Sequence, residues 1–202
     1  MSTTVAYCFA PQSPWTYLGH DRFVALARAA GASVRVMPVD FGRIFPVSGG
    51  LPLAKRAPQR QAYRLVELRR FSEHLGLPLN LHPKFFPVAA DPAARLILAV
   101  REHDGADAAL SLTGAVLRAV WAEDRDIADP ATLASLLAAQ DLPARRLDDA
   151  AADAVTQAYD ADTQWAIDAG VFGAPSVVVD GEIFWGQDRL DFLARRLGIA
   201  TP

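Results

Sequence analysis

Residues 175–186, PSVVVDGEIFWG, limit the possible folds more than any other stretch of the chain. Two short runs of branched and aromatic residues flank Asp180-Gly181, a dipeptide favoured in two-residue hairpin loops. The chain therefore turns back on itself here, and the amphipathic stretch QDRLDFLARRLG follows as a closing helix. At the other end, TTVAYCFA reads as a buried strand. PWTYLGHDRFVALARAAG has helical periodicity through Trp15, Leu18, Phe23, Leu26 and Ala27, and ASVRVMPVDF reads as a second strand. Strand, helix and strand in succession predict a parallel pair joined by a right-handed crossover.

Between these ends the pattern is helical. Residues 43–58 are rich in Gly and Pro and read as a loop. APQRQAYRLVELRRFSEHLG is amphipathic, with Tyr63, Val66 and Leu68 on its apolar side. Alanine-rich segments predict helices over 91–104, 107–123, 130–140 and 149–169, with Asp91-Pro92 and Asp129-Pro130 as starts. The order is βαβ, then helices, then ββα. The expected fold class is α/β: a thioredoxin-like core, residues 1–42 and 165–202, with an all-helical insertion domain over 43–164.

Composition narrows the function classes. Of 202 residues 51% are hydrophobic, enough for a substantial core, and the net charge of -3 with no run of like charge disfavours nucleic-acid binding. A single cysteine, Cys8, excludes an internal disulfide or a CxxC pair and suits a cytoplasmic setting. The first residues do not read as a signal peptide, and no apolar run is long enough to span a membrane. His20, His74, His82 and His103 show no metal-ligand spacing, so no metal is expected, and His20 reads as a partly exposed helix residue. No nucleophile-elbow, P-loop or dinucleotide-binding glycine pattern is present.

Three places carry possible chemistry. Ser13 precedes Pro14 at the mouth of the first helix, where it reads as an N-cap. The same position suits an anion, because a helix N-terminus offers unpaired N–H groups and a positive dipole end. In a thioredoxin-like fold a reactive thiolate belongs there; here Ser13 stands in its place and Thr16 three residues on, so the site could support a thiolate from elsewhere. Ala174-Pro175, just before the hairpin, is either a simple strand breaker or a cis-proline facing the first helix, leaving backbone free for an extended ligand. Gln187 and Asp188 open the last helix, where Asp188 is a cap or, with Gln187, a receptor for an ammonium group. Cys8 lies within the first strand and reads as core.

SPWTYLG, VFGAPSVVVDGEIFWGQDRLDFL and AVWAEDRDIADPATL together resemble the 2-hydroxychromene-2-carboxylate isomerases, relatives of kappa-class glutathione transferases and of DsbA. The resemblance covers essentially the whole chain. It implies glutathione as cofactor, with Ser13 at its thiol, Ala174 and Pro175 on the tripeptide backbone, and Gln187 and Asp188 at its γ-glutamyl end. It also implies a homodimer acting on a small molecule, a chromene acid from aromatic-ring degradation. Arg60 stands where the family often has Lys, and Gly50 and Ala89 where it commonly has Asn. Arg60 is suited to pair with a carboxylate. Trp15, Phe45 and Phe86 are the expected walls of a substrate cleft. Two other readings stand beside the isomerase: a glutathione transferase or oxidoreductase relative, and a thioredoxin-like binding module without chemistry.

Overall fold

The computed structural model describes residues 3–199. β1 (Thr4–Phe9), α1 (Pro14–Ala29) and β2 (Ser33–Pro38) form the leading unit, with β1 and β2 parallel. β3 (Ser176–Val179) pairs antiparallel with β1, and β4 (Glu182–Trp185) antiparallel with β3, giving one sheet in the order β2-β1-β3-β4. The two ends of the chain thus build a single sheet, as the strand signals predict. Asp180 and Gly181 both take positive φ in the connecting turn (49° and 83°), the conformation that their residue types favour.

β1 shows why the sheet is buried on both faces. Val5, Tyr7 and Phe9 pack with Phe23 of α1 and with the helices on one side. Ala6, Cys8 and Ala10 point the other way and meet Met37, Ile44, Ala166 and Val171. Successive side chains of a strand alternate faces, so one six-residue strand serves two cores.

The helices between the strands are α2 (Phe41–Ser48), α3 (Pro58–Leu75), α4 (Asp91–Asp104), α5 (Ala106–Trp121), α6 (Pro130–Ala139), α7 (Arg146–Asp149) and α8 (Asp153–Asp168); α9 (Leu190–Arg196) closes the chain. α4 and α5 supply Leu96, Ile97, Leu112, Val116 and Trp121 to the same core as β1. Asp162 of α8 is buried and binds Arg35 of β2 at 2.6 Å and Arg101 of α4 at 2.5 Å, while Arg101 also donates to the Val36 carbonyl. A buried carboxylate needs such partners, because desolvation otherwise costs several kcal/mol. The boundaries read at 42/43 and 164/165 fall inside α2 and α8.

Several local expectations change. The stretch 43–58 is not all loop: α2 forms because the Asp40 side chain accepts from the Gly42 N–H, and Gly49 ends the helix in the left-handed region. Asp129 caps α6 as expected, accepting from the Ala131 and Thr132 N–H groups. Asp91 does not cap α4; it is the first helical residue and accepts instead from the Tyr159 hydroxyl at 3.4 Å. On α3 only Leu68 is buried, while Tyr63 and Val66 are 58% and 37% exposed. The helix expected over 149–169 is α8, which starts at Asp153, and a short helix not expected from the sequence, α7, precedes it. No described helix is long and apolar enough to cross a membrane.

Candidate active site

Parallel pairing puts the ends of β1 and β2 at the same edge of the sheet. Antiparallel pairing brings the start of β3 and the end of β4 to that edge as well: Cys8 pairs with Ser176, and Ser176 with Trp185. The loops 10–13, 173–175 and 186–188 therefore emerge together. Ser13, Ala174, Pro175, Gln187 and Asp188 are brought to one end of the molecule by topology alone.

Ser13 caps α1. Its Oγ accepts from the Thr16 N–H at 3.2 Å, and its carbonyl accepts from the Tyr17 N–H. Pro14 has no N–H, so among the described residues the Trp15 N–H is the first-turn donor without a partner. The Ser13 hydroxyl proton is likewise not donated to any described residue. α1 carries no acid in its first turn to compete for an anion. Thr16 is fully buried and its hydroxyl has no partner, so it stands behind the helix mouth rather than in it.

The Ala174–Pro175 peptide bond is cis, as expected, and so is Phe86–Pro87, which had no sequence signal. Among the described residues neither backbone group of Ala174 has a hydrogen-bond partner. The loop is pinned on either side. The Ser176 hydroxyl donates to the Gly173 carbonyl, and the Gly186 N–H to the Pro175 carbonyl. Gly173 lies against an aromatic ring: a Cβ there would sit 2.2 Å from Trp185 Nε1.

Gln187 is buried, and α1 holds it. Arg22 donates to its main-chain carbonyl at 3.0 Å and also to its side-chain Oε1, and Gly19 lets it approach: a Cβ on Gly19 would lie 2.8 Å from Gln187 Cβ. The Gln187 Nε2 has no partner among the described residues. Asp188 is exposed and pairs with Arg189 at 2.5 Å. Asp188 is therefore the reachable carboxylate of the turn, and Gln187 is its anchor.

The three expected wall residues go to different supports. Trp15 packs edge-on against Phe71 of α3. Phe86 lies against Trp121, whose Nε1 donates to the Gln12 carbonyl beside Ser13. Phe45 joins the core that includes Ala174, and Gly50 explains its position: a Cβ on Gly50 would be 2.3 Å from Phe45 Cδ1. The ring fills the space where any side chain at position 50 would begin. Arg60 is exposed at the start of α3. One turn on, Arg64 lies over the Phe86 and Trp121 rings at 5.4 and 5.6 Å, a feature the sequence did not signal because its partners are far off in the chain.

Cys8 is core, as its place in the first strand implies, and so is His20. Burial pushes the Cys8 thiol up to about 12, which disfavours a thiolate there at neutral pH. His20 is buried, not partly exposed. Its Nε2 must carry the proton, because its partner is the Leu110 carbonyl at 3.0 Å, and Nδ1 then accepts from the Tyr7 hydroxyl. Gly114 leaves room for the ring. A cavity of about 220 Å³ lined by Tyr17, His20, Asp21, Pro78 and Arg118 does not include Ser13.

Comparison with known proteins agrees with this fold. The DSBA-like thioredoxin domain family matches residues 4–198. Two relatives are each called 2-hydroxychromene-2-carboxylate isomerase. That of Pseudomonas putida is 30% identical over 198 residues (96% of this chain, 94% of the relative), and that of Pseudomonas sp. (strain C18) is 31% identical over 201 (96% and 90%). A solved structure of such an isomerase superposes with a TM-score of 0.76 at 26% identity, covering 96% of this chain and 94% of the other. The chain belongs to the DsbA-like thioredoxin family and, within it, to the 2-hydroxychromene-2-carboxylate isomerases.

Proposed function

We propose that the protein is a glutathione-dependent isomerase of the 2-hydroxychromene-2-carboxylate type. The observation that supports this most is the mouth of α1. There the Ser13 hydroxyl keeps its proton free and the Trp15 N–H is unpartnered, while at the same sheet edge the backbone of Ala174 is also without partners. These groups fit an extended peptide that ends its approach with an anionic sulfur. Bound glutathione would supply a thiolate that adds reversibly to a conjugated substrate and so permits a bond to rotate.

The chain's own residues do the rest in this reading. The Ser13 hydroxyl and the α1 dipole lower the cost of holding a thiolate near neutral pH. Ala174 offers its N–H and carbonyl to the tripeptide backbone before Pro175. Asp188, anchored through Gln187, receives the γ-glutamyl ammonium, and Arg60 the terminal carboxylate. Trp15, Phe45 and Phe86 form apolar walls that keep water from the reacting carbons. A homodimer and a cytoplasmic setting go with the reading.

A second reading has one observation in its favour. Phe45 occupies the space of a side chain at position 50, where the resemblance implies Asn, and a site without that amide suits a module that binds a peptide-like thiol without turnover. Dithiol redox chemistry is disfavoured by the buried Cys8. Calorimetry with glutathione, followed by a spectrophotometric assay on the chromene acid, separates the readings. The isomerase reading expects binding and glutathione-dependent turnover. Binding with no turnover defeats it and leaves the module; no binding defeats both.

A further inference from the structure

The cavity of about 220 Å³ beside His20 stands apart from Ser13, and its walls differ in kind. Leu77 and Leu117 make it partly apolar. Asp21 of α1 and Arg118 of α5 bring opposite charges to the same space. The two are not joined to each other by an ion pair or a hydrogen bond.

The floor between them is fixed. His20 is 3% exposed, and both its ring nitrogens are engaged, Nε2 with the Leu110 carbonyl and Nδ1 with the Tyr7 hydroxyl. The carbon edge of the ring faces Gly114: a Cβ there would lie 3.2 Å from His20 Cδ2 and 3.8 Å from Asp21 Oδ1. Glycine at 114 thus leaves open the space between the ring and the carboxylate. Arg118 follows one turn later on α5, about 6 Å along the helix axis. Tyr17 holds the rim, its hydroxyl donating to the Pro78 carbonyl at 2.6 Å, while its oxygen keeps lone pairs to accept with. Both charges act on the groups between them. Burial raises the Tyr17 pKa most, and Arg118 and Asp21 then pull it in opposite senses; the lowered pKa of His20 is moved in opposite senses by the same two.

A carboxylate at one end, a guanidinium at the other and apolar side chains between them match a molecule that carries an ammonium and a carboxylate on a short frame. A simple anion would meet Asp21, and a simple cation would meet Arg118, each at a cost in like-charge repulsion. The volume equals the liquid share of about seven waters, room for about eight non-hydrogen atoms and too little for a tripeptide. We propose that this cavity binds a free zwitterionic α-amino acid with a small apolar side chain. Its ammonium sits on Asp21 and the Tyr17 oxygen, its carboxylate on Arg118, and its side chain against Leu77 and Leu117. This second site does not depend on the thiol reading of Ser13.

The test uses the whole chain without glutathione, at low ionic strength, and titrates it calorimetrically with three small molecules of one shape. They are valine, isovalerate, which lacks the ammonium, and isobutylamine, which lacks the carboxylate. Valine should bind at least about tenfold more tightly than either, because only it makes both charge-assisted contacts. Asp21→Asn should remove its advantage over isovalerate, and Arg118→Met its advantage over isobutylamine. Both residues are exposed, so neither substitution threatens the fold. Added glutathione should leave the valine affinity unchanged. Absence of valine binding, equal affinity for the three molecules, an advantage that survives both substitutions, or displacement of valine by glutathione overturns the proposal. Glutathione binding without valine binding sinks this site alone.

Discussion

Arg22 and Gln187, 165 positions apart, are joined by two hydrogen bonds, one to the Gln187 main-chain carbonyl and one to its side chain. This bond pair fastens the turn that bears Asp188 to the helix that begins at Ser13. Arg22→Met keeps the aliphatic stem but loses both bonds. It should cost about 1.5–3 kcal/mol of stability, the usual range for hydrogen bonds to a charged group. If glutathione binds as proposed, its affinity should fall about tenfold, equivalent to about 1.4 kcal/mol, while the pKa of the bound thiol stays where it was. Calorimetry and a thiol titration measured on the same variant check both halves. A shifted thiol pKa would mean that Arg22 acts on α1 itself.

Ser13→Ala removes a cap and should cost about 0.5–2 kcal/mol by denaturant unfolding. If the hydroxyl also serves a bound thiolate, turnover near neutral pH should drop more than glutathione affinity, and the thiol pKa should rise. Ser13→Cys should form a glutathione mixed disulfide under oxidising conditions, seen by mass spectrometry on the new thiol and not on Cys8. Full activity in the alanine variant, with no adduct in the cysteine variant, would leave Ser13 as a helix cap only.

Native Cys8 should resist iodoacetamide at neutral pH and react fully once the chain is unfolded. Its thiol is raised to about 12 by burial first and by the Asp162 charge second. Rapid labelling of the folded protein would contradict the buried position.

His20 gives the folding stability a dependence on pH. Burial lowers its folded pKa from the ordinary 6.5, so the unfolded chain binds the proton more readily. The neutral ring's contribution is complete above about 6.5 and is lost as pH falls from there toward the folded pKa. The slope approaches about 1.4 kcal/mol per pH unit for one proton. Unfolding curves between pH 5 and 8 (about the range in which histidine titrates) should show this slope, and His20→Gln should flatten it.

Gly50 and Phe45 should behave as one unit. Gly50→Asn alone forces a Cβ into the Phe45 ring and should cost about 1–3 kcal/mol, as overpacking does. Adding Phe45→Ala should recover part of that loss, and a double-mutant cycle should report strong coupling. Additive effects would show that the loop moves freely aside.

The strands and most helix limits were legible because their signals are local. Alternation along β1, the Asp180-Gly181 turn and the Asp129-Pro130 start each act within a few residues. α2 was hidden because Gly42, Pro46 and Gly49 look like loop composition, whereas the deciding contact is a cap from Asp40. Tyr63 and Val66 fit the helical period but face outward, since periodicity gives a face and not what covers it. The setting of His20 depends on Leu110, and that of Arg64 on Phe86 and Trp121; such contacts have no sequence spacing to read.

The bridge that Asp162 makes between Arg35 and Arg101 has a consequence for motion. It ties α8 and α4 to β2, so these helices cannot swing away from the sheet without stranding a buried charge. α3 is under no such restraint, with Leu68 its sole fully buried side chain. Breathing of the molecule should therefore be greatest at the rim formed by α3. Amide exchange should be fastest there and slowest in β1, α4 and α5, and small ligands would enter and leave on the α3 side.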